Sequence, residues 1–231
     1  MKLIRNEQLE TELLKEIDDS MVDDDRSQPS VSGMIYCLTK TYNENNVILP
    51  DENGRRDSKH TKEQTLLFIT GLGLEKVILS GRQIAEKGIT EGIQWHVDHL
   101  NTDTGKFIEV KSTRGSSKRS DDISEGWQKQ ILAYFYISGI TEGDLAILHL
   151  MGAYSPPFPE FIVWHLEATQ QEVDENWIWI KNRAEIYESA VNSGVAPTPF
   201  KFNMIWECKN CSWKSLCDAK SILAGSGSRM V

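Results

Sequence analysis

The stretch IQWHVDHLNTDTGKFIEVK, residues 93–111, constrains the fold more than any other part of the chain. Apolar Trp95, Val97, Ile108 and Val110 alternate with polar His96, Asp98, Glu109 and Lys111 around the turn-forming NTDTG. A period of two is the mark of a strand half-buried in a sheet. Two such runs joined by a short polar turn read as an antiparallel hairpin. With the turn centred on residues 102–104, positions whose numbers sum to 207 stand opposite each other, pairing Asp98 with Glu109 and His96 with Lys111 on one face. Two carboxylates aimed at one place repel unless a cation lies between them, and hard oxygen ligands suit Mg²⁺ or Mn²⁺. Lys111 on the same face can hold or polarise a water beside that cation. Together these groups are equipped to hydrolyse a phosphodiester. The same pattern also describes a hairpin whose charged positions simply face solvent, and the spacing alone leaves both readings open.

The rest of the chain predicts an α/β protein. Residues 3–21 have helical spacing of Ile4, Leu9, Leu13, Ile17 and Met21, and Ser32 is a candidate cap for a second helix carrying Cys37. Residues 43–64 are polar and turn-rich and read as a surface loop. TLLFITGLGLEKVILSG reads as a buried helix, WQKQILAYFYIS as another, and residues 170–192 as a long one. DLAILHLMGAY and EFIVWHLEAT read as paired strands around SPPFPE, which puts His149 and His165 in a packed core. We expect a mixed central sheet flanked by helices, with the hairpin 94–100/107–112 at its centre. We take 1–224 as one domain, comprising the helix at 3–21, a core at 32–205 and a cysteine-rich segment at 206–218. GSGSRMV, 225–231, is a tail or cloning scar.

Composition narrows the function classes. Lys plus Arg is 25 against 34 Asp plus Glu, a net charge of −9, which argues against a surface-wide basic DNA coat but not against a basic groove. No apolar run approaches the roughly 18 residues of a membrane span. The N-terminus lacks the apolar run of a secretory signal, so the expected location is the cytoplasm. No G-x4-G-K-[ST] motif is present, so no ATP-driven motor is expected on this chain.

The four cysteines are Cys37, Cys208, Cys211 and Cys217, the last three spaced C-x2-C-x5-C. In a reducing compartment such a set points to metal or cluster binding before disulfides. Structural zinc sites usually come as two close pairs, whereas a triplet with one distant partner suits a four-iron four-sulfur cluster better, with zinc as the fallback. Trp206, Trp213 and Leu216 can supply an apolar shell. Ordinary buried cysteines remain the plain alternative.

The order D-x10-E-V-K followed by a helix with Q-x3-Y (Gln130, Tyr134), framed by one cysteine upstream and three downstream, resembles the RecB-like branch of the PD-(D/E)XK nuclease superfamily. Within it the chain is similar, from about Ser32 to Cys217, to the Cas-four type CRISPR-associated exonucleases and their phage relatives. The nuclease domains of AddB-type and Dna-two-type helicase-nucleases share the layout. The resemblance implies that Asp98 and Glu109 hold the metal with help from the backbone carbonyl of Val110, and that Lys111 is the catalytic lysine. Gln130 and Tyr134 would contact DNA or order the site. Cys37, Cys208, Cys211 and Cys217 would hold a 4Fe-4S cluster that clasps the two ends of the chain. Where the family offers a histidine ligand from an early helix, this sequence has Glu75, four residues after Gly71, with His60 as the alternative.

Residues 106–119 hold five basic side chains and one acid, so Arg114, Lys118 and Arg119 are candidate phosphate contacts, although a solvated loop carries such charge equally well. Trp95, Trp127 and Tyr134 are candidates for stacking on unpaired bases. The expected activity is a metal-dependent DNA exonuclease on single strands or ends. The alternatives are an accessory module that binds DNA ends beside an integrase or recombination partner, and a restriction-type endonuclease.

Overall fold

The structure is a computed structural model. It describes residues 28–46, 86–101, 105–119, 123–156, 158–199, 205–209 and 211–218, with scattered helical or turn positions at 8, 11–13, 66, 69–71, 73, 76–77 and 79. Its centre is a mixed four-stranded sheet in the order β3 (His99–Asn101), β4 (Lys106–Thr113), β5 (Glu142–His149), β6 (Glu160–Glu167). β4 and β5 run parallel and the outer pairs are antiparallel. A parallel pair requires a crossover, and here helix α3 (Glu125–Ser138) supplies it.

Helix α3 starts at the Ser124 cap and stops at Gly139, whose φ of 67° provides the left-handed turn of a helix C-terminus. It buries Ile131, Tyr134 and Phe135 in one cluster with Phe107, Leu145 and Ile147 of the sheet. Phe107 and Phe135 meet edge-on at 5.4 Å. Gly143 is required there, because a Cβ would lie 2.6 Å from Phe107 and 3.1 Å from Phe135. The long helix α4 (Gln170–Ser193) opens with a Thr169/Glu172 capping box and packs on α3. On the opposite face of the sheet Leu79 is buried against Ile108, Val110 and Ala146.

Two short helices, α1 (Val31–Ile35) and α2 (Leu38–Asn46), precede the sheet. The α1 cap is Ser30, whose hydroxyl accepts from the Gly33 amide at 3.2 Å; Ser32, the expected cap, lies inside the helix. Cys37 sits in the break between the two helices and not on one. Buried Arg183 of α4 donates to the carbonyls of Met34 and Tyr36, closing the end of α1. Asn43 to Asn46, expected in a loop, are helical because Tyr42 and Asn43 are buried on the inner side of α2. Near the other end of the chain, α5 (Ile205–Lys209) returns to this break, where the Cys37 amide donates to Glu207 at 3.1 Å.

Strands β1 (Glu86–Thr90) and β2 (Ile93–Val97) form a separate two-stranded ribbon. A two-residue turn at Glu91-Gly92, φ 50° and 81°, joins them, its two left-handed residues matching the right-handed twist of the strands. The expected central hairpin is therefore only half right, since β4 lies inside the sheet but β3 is at its edge among the described residues. Its 207 register holds at His99↔Ile108, Leu100↔Phe107 and Asn101↔Lys106, but β2 turns away at Asp98 and pairs His96 with Lys87 instead of Lys111. His149 is buried as expected, whereas His165 is 54% exposed, because β6 is an edge strand with one open face. In the segment expected to be a buried helix, the described residues 66, 69–71, 73, 76 and 77 are helical, but Val77 is 72% exposed.

Candidate active site

The divergence of β2 from β3 opens a cleft of about 530 Å³ beside the start of the sheet. Asp98, Glu109, Lys111, Gln130 and Tyr134 all line it. Asp98 occupies the bend between β2 and β3, while Glu109 and Lys111 come from the face of β4 that packs under α3. The paired ladder ends at His99↔Ile108, and the Val110 amide instead donates to Asp98 Oδ2 at 2.8 Å. In a strand, a residue's N–H and C=O point to the same side, so the Val110 carbonyl is directed the same way.

Glu109 is 1% exposed, and its Oε1 accepts from Lys111 Nζ at 2.5 Å. Burial works against charge on Lys111, but Glu109 and Asp98 outweigh it and hold the ammonium above its usual range. Burial pushes the Asp98 carboxyl up, partly opposed by Lys111, the Val110 amide and His96. The site therefore holds two carboxylates around one ammonium in a poorly solvated place, which favours a further cation. Gln130 Nε2 donates to the Tyr134 hydroxyl at 2.8 Å, one helical turn along α3. Burial, then the Glu109 charge, lifts Tyr134 well above the ordinary phenol range, so it stays a neutral donor or acceptor.

Several contributors to the cleft escaped sequence reasoning. Ser30, Val31 and Ser32 border it from the start of α1, and Lys87, Gly88, Ile89 and Gln94 from the β1–β2 ribbon. The Gln94 amide bonds the Pro29 carbonyl at 2.8 Å, joining these two walls. The turn signal Glu91-Gly92 before the alternating run was the available clue to β1. Tyr36 is raised by burial and feels the charges of Lys111, Glu207 and Glu109.

Glu75 and His60 lie outside the described residues. Arg114 and Lys118 are exposed beyond the end of β4 and do not line the cleft; of Arg119 only the backbone, in a short 3-10 turn, is described. Among the cysteines, burial raises Cys211, whose sulfur also receives the Trp213 backbone amide and senses Cys37. Among the described residues, the single group of three or more metal-ligating side chains within 4.8 Å of one another is Glu142, His165 and Glu167, all exposed. That trio can take a divalent cation, although His165 Nδ1 already meets Asp144 at 3.0 Å.

No family model matches the chain, and no curated protein matches it. Among solved structures it is similar to the crystal structure of SSO0001, with 20% identity and a TM-score of 0.55 over 91% of this chain and 96% of that one. A second similarity is to a phage related exonuclease from Haemophilus somnus 129PT, with 9% identity and a TM-score of 0.44 over 72% of this chain and 96% of that one. The likeness to SSO0001 is one of fold.

Proposed function

We propose that the chain is a metal-dependent deoxyribonuclease that hydrolyses phosphodiester bonds in single-stranded DNA or at DNA ends. The observation that carries this reading is the convergence of Asp98, Glu109 and Lys111 on one cleft at a strand break, with Gln130 and Tyr134 above them. The donor set fits a hard cation: two carboxylates and a backbone carbonyl directed to one side, all oxygen. A Mg²⁺ or Mn²⁺ ion held by Asp98, Glu109 and the Val110 carbonyl would supply charge against the developing phosphoryl charge. Lys111, released from Glu109, would orient the attacking water. Gln130 and Tyr134 would position the phosphate through neutral hydrogen bonds.

Cys37, Cys208, Cys211 and Cys217 would hold a 4Fe-4S cluster, with zinc as the fallback. What supports this reading is the cysteine spacing and the bond from the Cys37 amide to Glu207, the residue preceding Cys208; among the described residues the cysteine sulfurs form no group of three within 4.8 Å of one another. Hydrolysis moves no electrons, so the cluster would clasp the fold.

The test is a gel assay with Mn²⁺ or Mg²⁺ on end-labelled linear and on circular single strands. Loss confined to linear DNA and reversed by EDTA is the expected result. Cutting of circles would favour the endonuclease. Binding without cutting would favour the accessory module, for which exposed Phe158, Phe161 and Val163 around edge strand β6 offer a docking face.

A further inference from the structure

The β1–β2 ribbon borders the cleft, and its two faces differ. Its register sets Lys87 opposite His96 and Ile89 opposite Gln94, so these four side chains share the outer face. Ile93, Trp95 and Val97 take the inner face. Burial follows that division: Lys87, Ile89 and His96 are exposed, whereas Ile93 and Val97 are buried in the core cluster and Trp95 packs against it. All four outer-face residues line the cleft together with Asp98, Glu109 and Lys111. His96 lies two residues before Asp98, and its charge favours the Asp98 carboxylate, so the Lys87–His96 pair is the part of this face next to the candidate metal ligands.

The ribbon is fixed in place from three sides. On its inner face the Trp95 indole N–H donates to Thr90 Oγ1 at 3.0 Å, and the ring lies so close to Gly88 that a Cβ there would come within 2.7 Å of Cζ2. At the turn, the Glu91 carboxylate accepts from Trp177 Nε1 at 3.0 Å, from the Tyr136 hydroxyl at 3.1 Å and from Lys181, which ties the tip to α3 and α4. On β2 the Gln94 amide donates to the Pro29 carbonyl at 2.8 Å. A surface held before its ligand arrives loses less freedom on binding. Among the residues that line the cleft, the groups able to carry positive charge are Lys87, His96 and Lys111, and Lys111 already bonds Glu109. A metal ion on Asp98 and Glu109 would answer the phosphate under attack, but the next phosphate along the strand needs a partner of its own.

We propose that the outer face of the ribbon is a subsite for the backbone phosphate next to the scissile one, with Lys87 supplying charge and His96 a hydrogen bond to its oxygens. The inference rests on the nuclease reading and deepens it: the substrate is gripped at this wall by its backbone and not by its bases. Cationic groups that follow phosphates bind without regard to base sequence, and their hold weakens as salt is raised.

The experiment uses the full chain with Mn²⁺ and end-labelled single-stranded oligonucleotides in which one linkage at a time is a methylphosphonate, which removes that phosphate's charge. In the wild type, a neutral linkage next to the one being cut should raise KM about fivefold, the scale of one exposed charge pair. Lys87→Gln combined with His96→Gln should raise KM for the all-phosphate strand by a similar factor, and the neutral linkage should then carry no further penalty. Lys87→Arg should keep the penalty. In Lys87→Gln the slope of log KM against log salt should fall by about 0.7, the share of one phosphate contact on a single strand. A variant that merely loosened the fold would weaken binding of every strand and leave the penalty in place. If the double variant does not fold, the same comparison with Lys87→Gln alone decides. No penalty at a neighbouring linkage in the wild type, or an undiminished penalty in a folded variant, overturns the inference while leaving the nuclease intact. Failure of the wild type to cut any strand, with Asp98→Ala no different, overturns the nuclease reading itself.

Discussion

Replacing Asp98 by Asn should stabilise the metal-free protein while destroying its activity. Asp98 is partly buried, and burial raises its pKa, so its ionised form is disfavoured in the folded state. A carboxyl raised in this way contributes stability only below its unfolded pKa and loses that contribution as pH rises through the folded value. At neutral pH the ionised group is therefore a liability, which Asn removes. Asn also keeps an oxygen for the Val110 amide, now bonded at 2.8 Å. In EDTA at pH 7 we expect a gain of about 1 kcal/mol, within the usual range for stabilising substitutions at functional sites. For a chain of this size that is roughly 2–4 °C in Tm. The gain should fade as the pH is lowered and Asp98, its pKa raised by burial, takes up a proton. With Mn²⁺ at a hundred times its Kd, binding adds about 2.7 kcal/mol to the wild type, and the order should invert because the variant has lost a ligand. Cleavage should fall at least ~100-fold. Differential scanning fluorimetry across pH, with and without Mn²⁺, measures all of this. A variant less stable than wild type in EDTA, yet equally stabilised by Mn²⁺, would refute the assignment of Asp98 as a buried metal ligand.

Lys111→Met leaves buried Glu109 without the ammonium that bonds it at 2.5 Å; it should cost about 3–5 kcal/mol in EDTA and regain part of that with Mn²⁺, read by chemical denaturation. Tyr134→Phe removes the 2.8 Å bond from Gln130 and should cost about 1 kcal/mol, while lowering kcat less than Asp98→Asn does. Replacing any of Cys37, Cys208, Cys211 or Cys217 by Ser should lower bound iron or zinc, measured by elemental analysis, and lower Tm more than it changes the rate per folded molecule. Gly143→Ala should destabilise by roughly 1–3 kcal/mol through overpacking against Phe107 and Phe135, with the metal response unchanged in fluorimetry.

What was legible in the sequence was whatever depends on local period and turn chemistry. The 207 register of β3 and β4 followed from alternation around a short turn, and α3 and α4 were expected over the segments WQKQILAYFYIS and 170–192, where they fall. Three things were not legible because they depend on partners elsewhere in the chain. The apolar phase slips after Asp98, where His99 and Leu100 reverse the order of Trp95 and Val97, so a break is marked there, but nothing local shows that β2 leaves to pair with β1. Whether a strand is central or at the edge does not alter its period, so His165 read like His149 although only His149 is buried. Ser32 was the expected cap of α1, but Ser30 takes that place, next to its parallel bridge to Gln94 and the bond between the Gln94 amide and the Pro29 carbonyl.

The strand break is what turns this hairpin into a site. Had β2 continued alongside β4, Val97 would have stood opposite Val110 and taken up its backbone groups in the ladder. Asp98 and Glu109 would then have been an ordinary cross-strand pair of like charges, which is destabilising. By turning away at Asp98, the chain gives the Val110 amide to a carboxylate and leaves the Val110 carbonyl, on the same side of the strand, outside the β3–β4 ladder. The same departure carries β2 out of the sheet, so that His96 borders the cleft that Glu109 and Lys111 of β4 also line. One local irregularity thus sets the oxygen donors, the ammonium and the substrate wall around a common space. The energetic liability of Asp98 is confined to the residue at that bend, while the pairs on either side, Glu86↔Val97 and His99↔Ile108, keep their ladders intact.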